Sequence, residues 1–452
     1  MTLHNFFNYV EVNCERFVEE LRKLLRQPSV SAQDKGVKEC ALLLRKLMEE
    51  SGIETRVIPL PEGQPVVYGE VKSKASKRTL LVYSHYDVQP PEPLNEWVNP
   101  PFEAEVRDGA IYARGASDSK GNIMAYVKAV EAFLKTVGDV PVNLKFLFEG
   151  EEEVSSTHLP GFIAQHKGML EADAVVCCDG GMDPSGRPTI DLGLKGILYV
   201  ELRCIGAGVD LHSSYAPLVK NPAWRILWAL ATVKSLDERI TVEGWYDRVQ
   251  PPSPAELQLL NEAPFNEEGI KKAFGLTTFL MNRSGSEAFK ALICEPTCTI
   301  CGFEAGYTGS GSKTVLPSTA MAKIDFRLVY DQSPSELLEK LKRHLVDRGF
   351  GDVEVVLIGF LEPSKTPLEA HVSQTVIKAA EKVYGVKPVV YPNAAGSGPD
   401  YLFTKRLGLA SIWTGCAPPF SKAHAPNEFI TIHHFVKGIM YAASIMYDFG
   451  SN

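Results

Sequence analysis

No apolar run in this chain approaches the ~20 residues needed to cross a bilayer, so no membrane partner is expected. The opening stretch Met1-Thr-Leu-His-Asn-Phe-Phe-Asn lacks the basic start and long apolar segment of a secretion signal. Basic charge is not in excess either: the net charge is −8, which argues against a nucleic-acid partner, since that would call for a basic face. The nine cysteines are scattered rather than set in a framework. Without a secretion signal they point to reduced thiols and a cytoplasmic setting. Internal repeats and low-complexity tracts are missing. So is a Gly-x-Ser-x-Gly elbow between a strand and a helix, which disfavours a serine hydrolase.

What is present is ordinary globular composition, 45% hydrophobic and 23% charged. A length of 452 residues exceeds one typical core of ~100–200 residues, so two domains are expected. Helical spacing covers 11–26 and 36–51. Then strands and helices alternate: strands 66–71 and 79–84, helix 119–137, strand 142–148, a helix near 160–169 and strand 174–178. Such alternation predicts a mixed, mostly parallel α/β sheet covered by helices. From Gly193 the order becomes strand 196–205, helix 221–236, strands 297–305 and 319–329, helix 333–348 and strand 352–358. This is the β-α-β-β-α-β order of a ferredoxin-like α+β unit, interrupted by a proline-rich insertion over about 238–296 with a further helical stretch. The α/β pattern resumes with helix 367–385, strands 387–391 and 410–413, and helix 431–447. One domain (1–192 and 363–452) split by an inserted one (193–362) is therefore predicted.

Chemistry gathers at the ends of these runs. Thr79-Leu-Leu-Val-Tyr-Ser leads to His85 and Asp87; Leu144-Lys-Phe-Leu-Phe precedes Glu151, Glu152 and Glu153; Ala174-Val-Val-Cys-Cys precedes Asp179. Asp118 sits in a glycine-bracketed turn ahead of helix 119–137, and His424 lies far downstream. Ligands collect where the strands of an open α/β sheet end. Oxygen and imidazole donors suit a divalent metal such as zinc, and shared carboxylates suit a pair of ions. A short Asp in a rigid turn can point both oxygens into a site. Of two adjacent glutamates, one can ligate and its neighbour can take a proton. Asp87 can accept the free N–H of the His85 ring. Each feature alone has a plainer reading: a solvated acidic face for the glutamates, a surface pair for His85 and Asp87, a helix cap for Asp118. Their joint placement is what favours a site.

Four segments, Ser84-His-Tyr-Asp-Val-Gln-Pro, Ala113-Arg-Gly-Ala-Ser-Asp-Ser-Lys-Gly, Glu149-Gly-Glu-Glu-Glu-Val-Ser-Ser and Ala423-His-Ala-Pro-Asn-Glu, resemble the signatures of the co-catalytic zinc peptidases. That family includes carnosinases and cytosolic dipeptidases, glutamate carboxypeptidases, aminoacylases, acetylornithine deacetylase and succinyl-diaminopimelate desuccinylase. The resemblance covers essentially the whole chain and is nearest to the carnosinase-like dipeptidases. It implies two divalent ions, zinc with manganese or cobalt as alternatives. His85 and Asp179 would bind one, Glu153 and His424 the other, and Asp118 would bridge. Glu152 would be the general base, with Asp87 supporting His85; a frame shifted by one, with Glu151 as base and Glu152 as ligand, stays open.

Asp210-Leu-His-Ser-Ser-Tyr resembles the family segment whose histidine polarises the scissile carbonyl, in dimeric members from across the subunit interface; here that is His212, with Ser214 where many relatives have glycine. Arg327, Thr314, Gly396 and Ser397 match segments that hold the substrate carboxylate. The plainer readings are an ordinary salt bridge for Arg327 and a core histidine for His212. The resemblance implies a homodimer joined through the inserted domain. It also implies a substrate that is a small peptide cut next to its free C-terminal carboxylate, or alternatively an N-acyl amino acid. Two decoys remain. Cys294-Glu-Pro-Thr-Cys-Thr-Ile-Cys has iron–sulfur spacing but reads as a strand. Gly306-Tyr-Thr-Gly-Ser-Gly-Ser-Lys-Thr approximates a phosphate loop, but Ser312 breaks it and no helix follows.

Overall fold

The strand Thr79–His85 buries every residue from Leu80 onward, and Ala174–Cys178 is buried throughout. Unbroken apolar runs of this kind are what a sheet covered on both faces requires. In the computed structural model, which describes residues 3–451, these two strands are the centre of an eight-stranded sheet. Its order is Glu54–Ile58, Val66–Val71, Asn143–Glu149, Thr79–His85, Ala174–Cys178, Ala410–Thr414, Thr189–Asp191, Val389–Tyr391. The four middle strands run parallel, as do the last two; the remaining pairings are antiparallel. Met1, Thr2 and Asn452, at the ends of the expected split domain, lie outside the described residues.

Helices Val37–Glu50, Lys120–Thr136, His371–Tyr384 and Ile432–Ser451 pack on one face, and Leu159–Gln165 with the turn Leu402–Leu407 on the other. Lys120–Thr136 is buried along most of its length, packed against the sheet and against Ile432–Ser451. A small three-stranded sheet joins the hairpin Glu105–Arg107 and Ala110–Tyr112 to Phe429–Thr431, pairing Ile111 with Ile430. That pairing carries the loop with His424 back beside the first half of the chain.

A second, antiparallel sheet has the order Thr297–Ala305, Thr319–Leu328, Gly196–Ile205, Val353–Leu361. Helices Pro222–Val233 and Pro334–Asp347 cover one face of it around a separate apolar core that includes Val200, Ile226, Ile324 and Leu341. The two connections between the sheets run side by side. Leu194 N–H donates to Ser364 Oγ and Ser364 N–H to the Leu194 carbonyl, both at 3.0 Å. Gly193 permits this approach, because a Cβ there would lie 2.3 Å from the Ser364 carbonyl oxygen.

Three local expectations need correction. The helix expected over 11–26 is two, Leu3–Val12 and Cys14–Arg26, parted at Asn13, whose side chain donates to the Tyr9 carbonyl at 2.8 Å. The helix near 160–169 stops at Gln165 and gives way to a 3₁₀ turn, Lys167–Leu170. The insertion holds three helices, Pro254–Glu262, Glu267–Phe274 and Gly285–Cys294, rather than one helical stretch. A cluster of Leu260 from the first and Phe289 and Ile293 from the third packs against Tyr391 and Ala395 of the returning segment.

Candidate metal centre and its surroundings

His85 ends its strand fully buried, with Nδ1 3.1 Å from the Asp87 backbone carbonyl. Donation there makes Nδ1 a protonated nitrogen and leaves Nε2 as the nitrogen turned toward the site. Nε2 faces Asp118 Oδ1 at 3.0 Å and Asp179 Oδ2 at 3.5 Å, yet has no hydrogen-bond partner. The other oxygen of Asp118, Oδ2, lies 2.9 Å from Nε2 of His424, which is 3.2 Å from Oε2 of Glu153. Asp118 thus turns one oxygen to each of two donor sets, His85–Asp118–Asp179 and Asp118–Glu153–His424. The donor atoms of each set lie within 4.8 Å of one another.

Charge is badly unbalanced here. Burial would raise Asp118, but the facing His424 and His85 imidazoles hold it well below the usual carboxylate range. His85, which burial would lower, is raised well above its ordinary value by Asp179 and Asp118. His424 is pushed up to about 10 by its bonds to Asp118 and Glu153. Carboxylates that raise both imidazoles form a site for cations: imidazole nitrogens that give up a proton on metal binding, together with oxygen donors, fit divalent ions of the zinc, manganese and cobalt kind.

Glu152 and Glu153 lie in a 3₁₀ turn, Glu152–Val154, just past the strand Asn143–Glu149. Glu153 is held by Gln89, whose side-chain amide donates to Oε2 at 2.9 Å and whose backbone N–H donates to Oε1 at 3.2 Å. Glu151 points elsewhere, accepting from Gln64 N–H at 3.0 Å and meeting His158 Nδ1 at 2.8 Å. Glu152 has neither anchor; burial first, with further pushes from Asp179 and Glu153, raises its carboxyl well above the usual range. Asp87 has more partners than the His85 ring alone. Its carboxylate sits farther from the His85 ring (3.4 Å) than its own carbonyl does, and it accepts the backbone N–H groups of Glu152 and Glu153, both at 3.2 Å. It orients the glutamate turn as well as the ring.

Reading the sequence missed Gln89, Arg114 and Glu428, although all three lie in segments singled out there. Glu428 is fully buried and accepts from Arg114 Nη1 (2.8 Å) and from the N–H groups of Gly115, Ser117 and Asp118. Burial and then Asp118 push its carboxyl up to about 7, against the pull of Arg114. Asn427 adds a two-point clamp, accepting from Val98 N–H and donating to the Glu96 carbonyl, each at 2.8 Å. These bonds hold the loop in which His424 adopts a left-handed φ of 63°.

The remaining candidates fall into two further groups. Arg327 Nη1 donates to Ser397 Oγ at 2.8 Å, and Nη2 lies 3.3 Å from Asp325; Gly396, beside Ser397, accepts from Lys195 N–H at 3.0 Å. His212 is exposed, with Ser214 Oγ 2.8 Å from Nδ1 and Thr314 Oγ1 3.4 Å from Nε2. Among the described residues its hydrogen bonds do not reach the carboxylate cluster. The decoys dissolve: Cys298 is buried and Cys301 exposed on one strand, and the 306–314 loop runs into the short strand Val315–Leu316.

The model of peptidase family M20/M25/M40 matches residues 81–448. This chain belongs to that family. An M20 family metallo-carboxypeptidase from Sulfolobus solfataricus is 40% identical, with a TM-score of 0.91 over 96% of this chain and 99% of its own. The Cys-Gly metallodipeptidase of Schizosaccharomyces pombe is 27% identical across 100% of this chain and 99% of its length. The Beta-Ala-His dipeptidase of Mus musculus is 28% identical across 96% and 93%. The family member described here is accordingly a metallopeptidase with the mixed α/β architecture read from its sequence.

Proposed function

We propose that this M20 peptidase uses two divalent ions, zinc by first choice, to cleave the amide bond next to the free C-terminal carboxylate of a dipeptide or short peptide. The observation that carries this reading is Asp118, with one oxygen toward His85 and the other toward His424. His85 and Asp179 would hold one ion, Glu153 and His424 the other, and Asp118 both. Ions bound there would supply Lewis acidity at the carbonyl and make the attacking water acidic near neutral pH. Glu152, the cluster carboxylate without a fixed partner and with a raised pKa, takes the proton of that water and returns it to the leaving amine. Glu151, tied to Gln64 and His158, is poorly placed for this task, which favours Glu152 over the shifted frame. Arg327 with Ser397 and Gly396 would hold the carboxylate.

His212 and Thr314 would polarise the carbonyl oxygen, and their exposure suits donation across a homodimer. Helix Pro222–Val233 supports such an interface, because Trp224 and Trp228 stack at 5.5 Å on its outer face while 54% and 52% exposed. Residues 193–362 would then act as lid and dimerisation unit, and 1–192 with 363–452 as the catalytic unit. A cytoplasmic setting suits nine free thiols; no helix among the described residues is long and apolar enough to cross a membrane. The names of the relatives favour peptides over N-acyl amino acids. A panel of dipeptides and N-acyl amino acids, assayed after chelation and again after adding zinc, manganese or cobalt, tests the proposal. Dipeptide hydrolysis that is lost on chelation and returns with metal is expected; activity indifferent to chelation would end it.

A further inference from the structure

Lys195 is buried at the junction of the two sheets, 2% exposed, and touches two parts of the molecule at once. Its ammonium donates to the carbonyls of Leu292 and Glu295, both at 2.7 Å. These carbonyls close the C-terminal end of helix Gly285–Cys294, where a cation is favoured by unpaired acceptors and by the helix dipole. Its backbone N–H donates to the Gly396 carbonyl at 3.0 Å, the residue before Ser397. Burial pushes the ammonium down to about 8, so it stays protonated and able to donate at neutral pH.

Arg327 lies between the chains leaving this junction. It pairs with Ile197 on one side, two residues after Lys195, and with Thr297 on the other, two residues after Glu295. The same helix packs Phe289 against Tyr391, with ring centroids 5.9 Å apart, and its cluster reaches Ala395. Arg327, Ser397 and their backbone supports are therefore braced from behind by the insertion, with Lys195 as the pin.

We infer that Lys195 and the helices Pro254–Glu262 and Gly285–Cys294 form a positioning element for Arg327 and Ser397, setting how tightly the enzyme holds the free carboxylate of its peptide substrate. This rests on the reading of Arg327 as the carboxylate partner. A brace of this kind acts on substrate binding and leaves the proton transfer at Glu152 alone.

The test compares a dipeptide carrying a free C-terminal carboxylate with the same dipeptide as its C-terminal amide, on the full-length metal-loaded enzyme. Lys195→Met is expected to raise KM for the acid about tenfold with little change in kcat, the signature of lost ground-state binding. Amide hydrolysis should be unmoved, and Lys195→Arg, which can reach the same two carbonyls, should restore most of the affinity. Phe289→Ala should give the same split more weakly, and decides alone if Lys195→Met does not fold. An unchanged KM, or equal losses on acid and amide, overturns the inference. If the wild type does not distinguish acid from amide, or Arg327→Ala leaves the distinction intact, the Arg327 reading falls first. If Arg327→Ala abolishes it and Lys195→Met does not, only the role of Lys195 falls.

Discussion

Replacing Glu428 by glutamine should cost stability and metal together. The carboxylate is wholly buried; Oε2 accepts from Arg114 Nη1 and Gly115 N–H at 2.8 and 3.0 Å, and Oε1 from Ser117 and Asp118 N–H at 2.9 and 3.1 Å. A glutamine keeps one acceptor oxygen and turns an NH₂ toward the other pair of donors, whichever way it flips. Two buried N–H donors lose their acceptor, at about 1–3 kcal/mol each. The Arg114 charge loses its counter-ion, and breaking a buried ion pair costs about 3–5 kcal/mol. These overlap, so at about pH 8, where a carboxyl raised to about 7 is ionised, a loss of about 4 kcal/mol is expected, a large share of the roughly 5–15 kcal/mol that holds a domain folded. The turn affected carries Asp118, so the variant should also release metal more readily. Urea unfolding of the metal-free protein reads the first effect without interference from the ions, and metal content after dialysis reads the second. A loss under about 1 kcal/mol, with metal retained, would show that Glu428 does not organise the site.

Glu428 also shows what was legible in the sequence. His85 and Asp179 could be found because an apolar run ends at each, and a central strand delivers its C-terminal residue to the mouth of the sheet. The partners of Glu428 are 310 to 314 residues away, and no local pattern announces that a turn will present N–H groups to it. The choice between Glu151 and Glu152 has the same character, since it depends on Gln64, 87 residues upstream. Asp87 faces the His85 ring and also accepts two backbone N–H groups, and spacing can suggest the first contact but not the second. The large elements followed from periodicity, while short strands such as Ala110–Tyr112 and Thr189–Asp191 are set by tertiary pairing and carry little signal of their own. The placement of the insertion against Ala395 is equally non-local.

Two further outcomes are expected. In the metal-free protein His424, half-exposed, is raised from 6.5 to about 10 by Asp118 and Glu153. Its contribution to metal-free stability is then fully present below its unfolded pKa and lost as pH climbs through about 10. Metal must displace that proton, so titration calorimetry in buffers of differing ionisation enthalpy should show proton release at neutral pH and affinity rising with pH; affinity that is flat between pH ~6 and ~9 would contradict this. If the proposed homodimer forms through helix Pro222–Val233, Trp228→Glu on its outer face should turn dimer into monomer in size-exclusion chromatography, because a buried charge opposes an apolar interface. It should also lower turnover if His212 acts across that interface; an unchanged elution volume would remove this helix from the contact.

The most direct test of the two-metal account is Glu152→Gln, with bound metal and turnover measured on the same sample. Glutamine preserves the shape of the side chain but cannot take a proton, and a general base contributes about 10²–10⁴-fold to rate. The account predicts two ions per chain, as in the parent protein, with dipeptide turnover reduced by at least about a hundredfold. Near-normal turnover with both ions bound would contradict it.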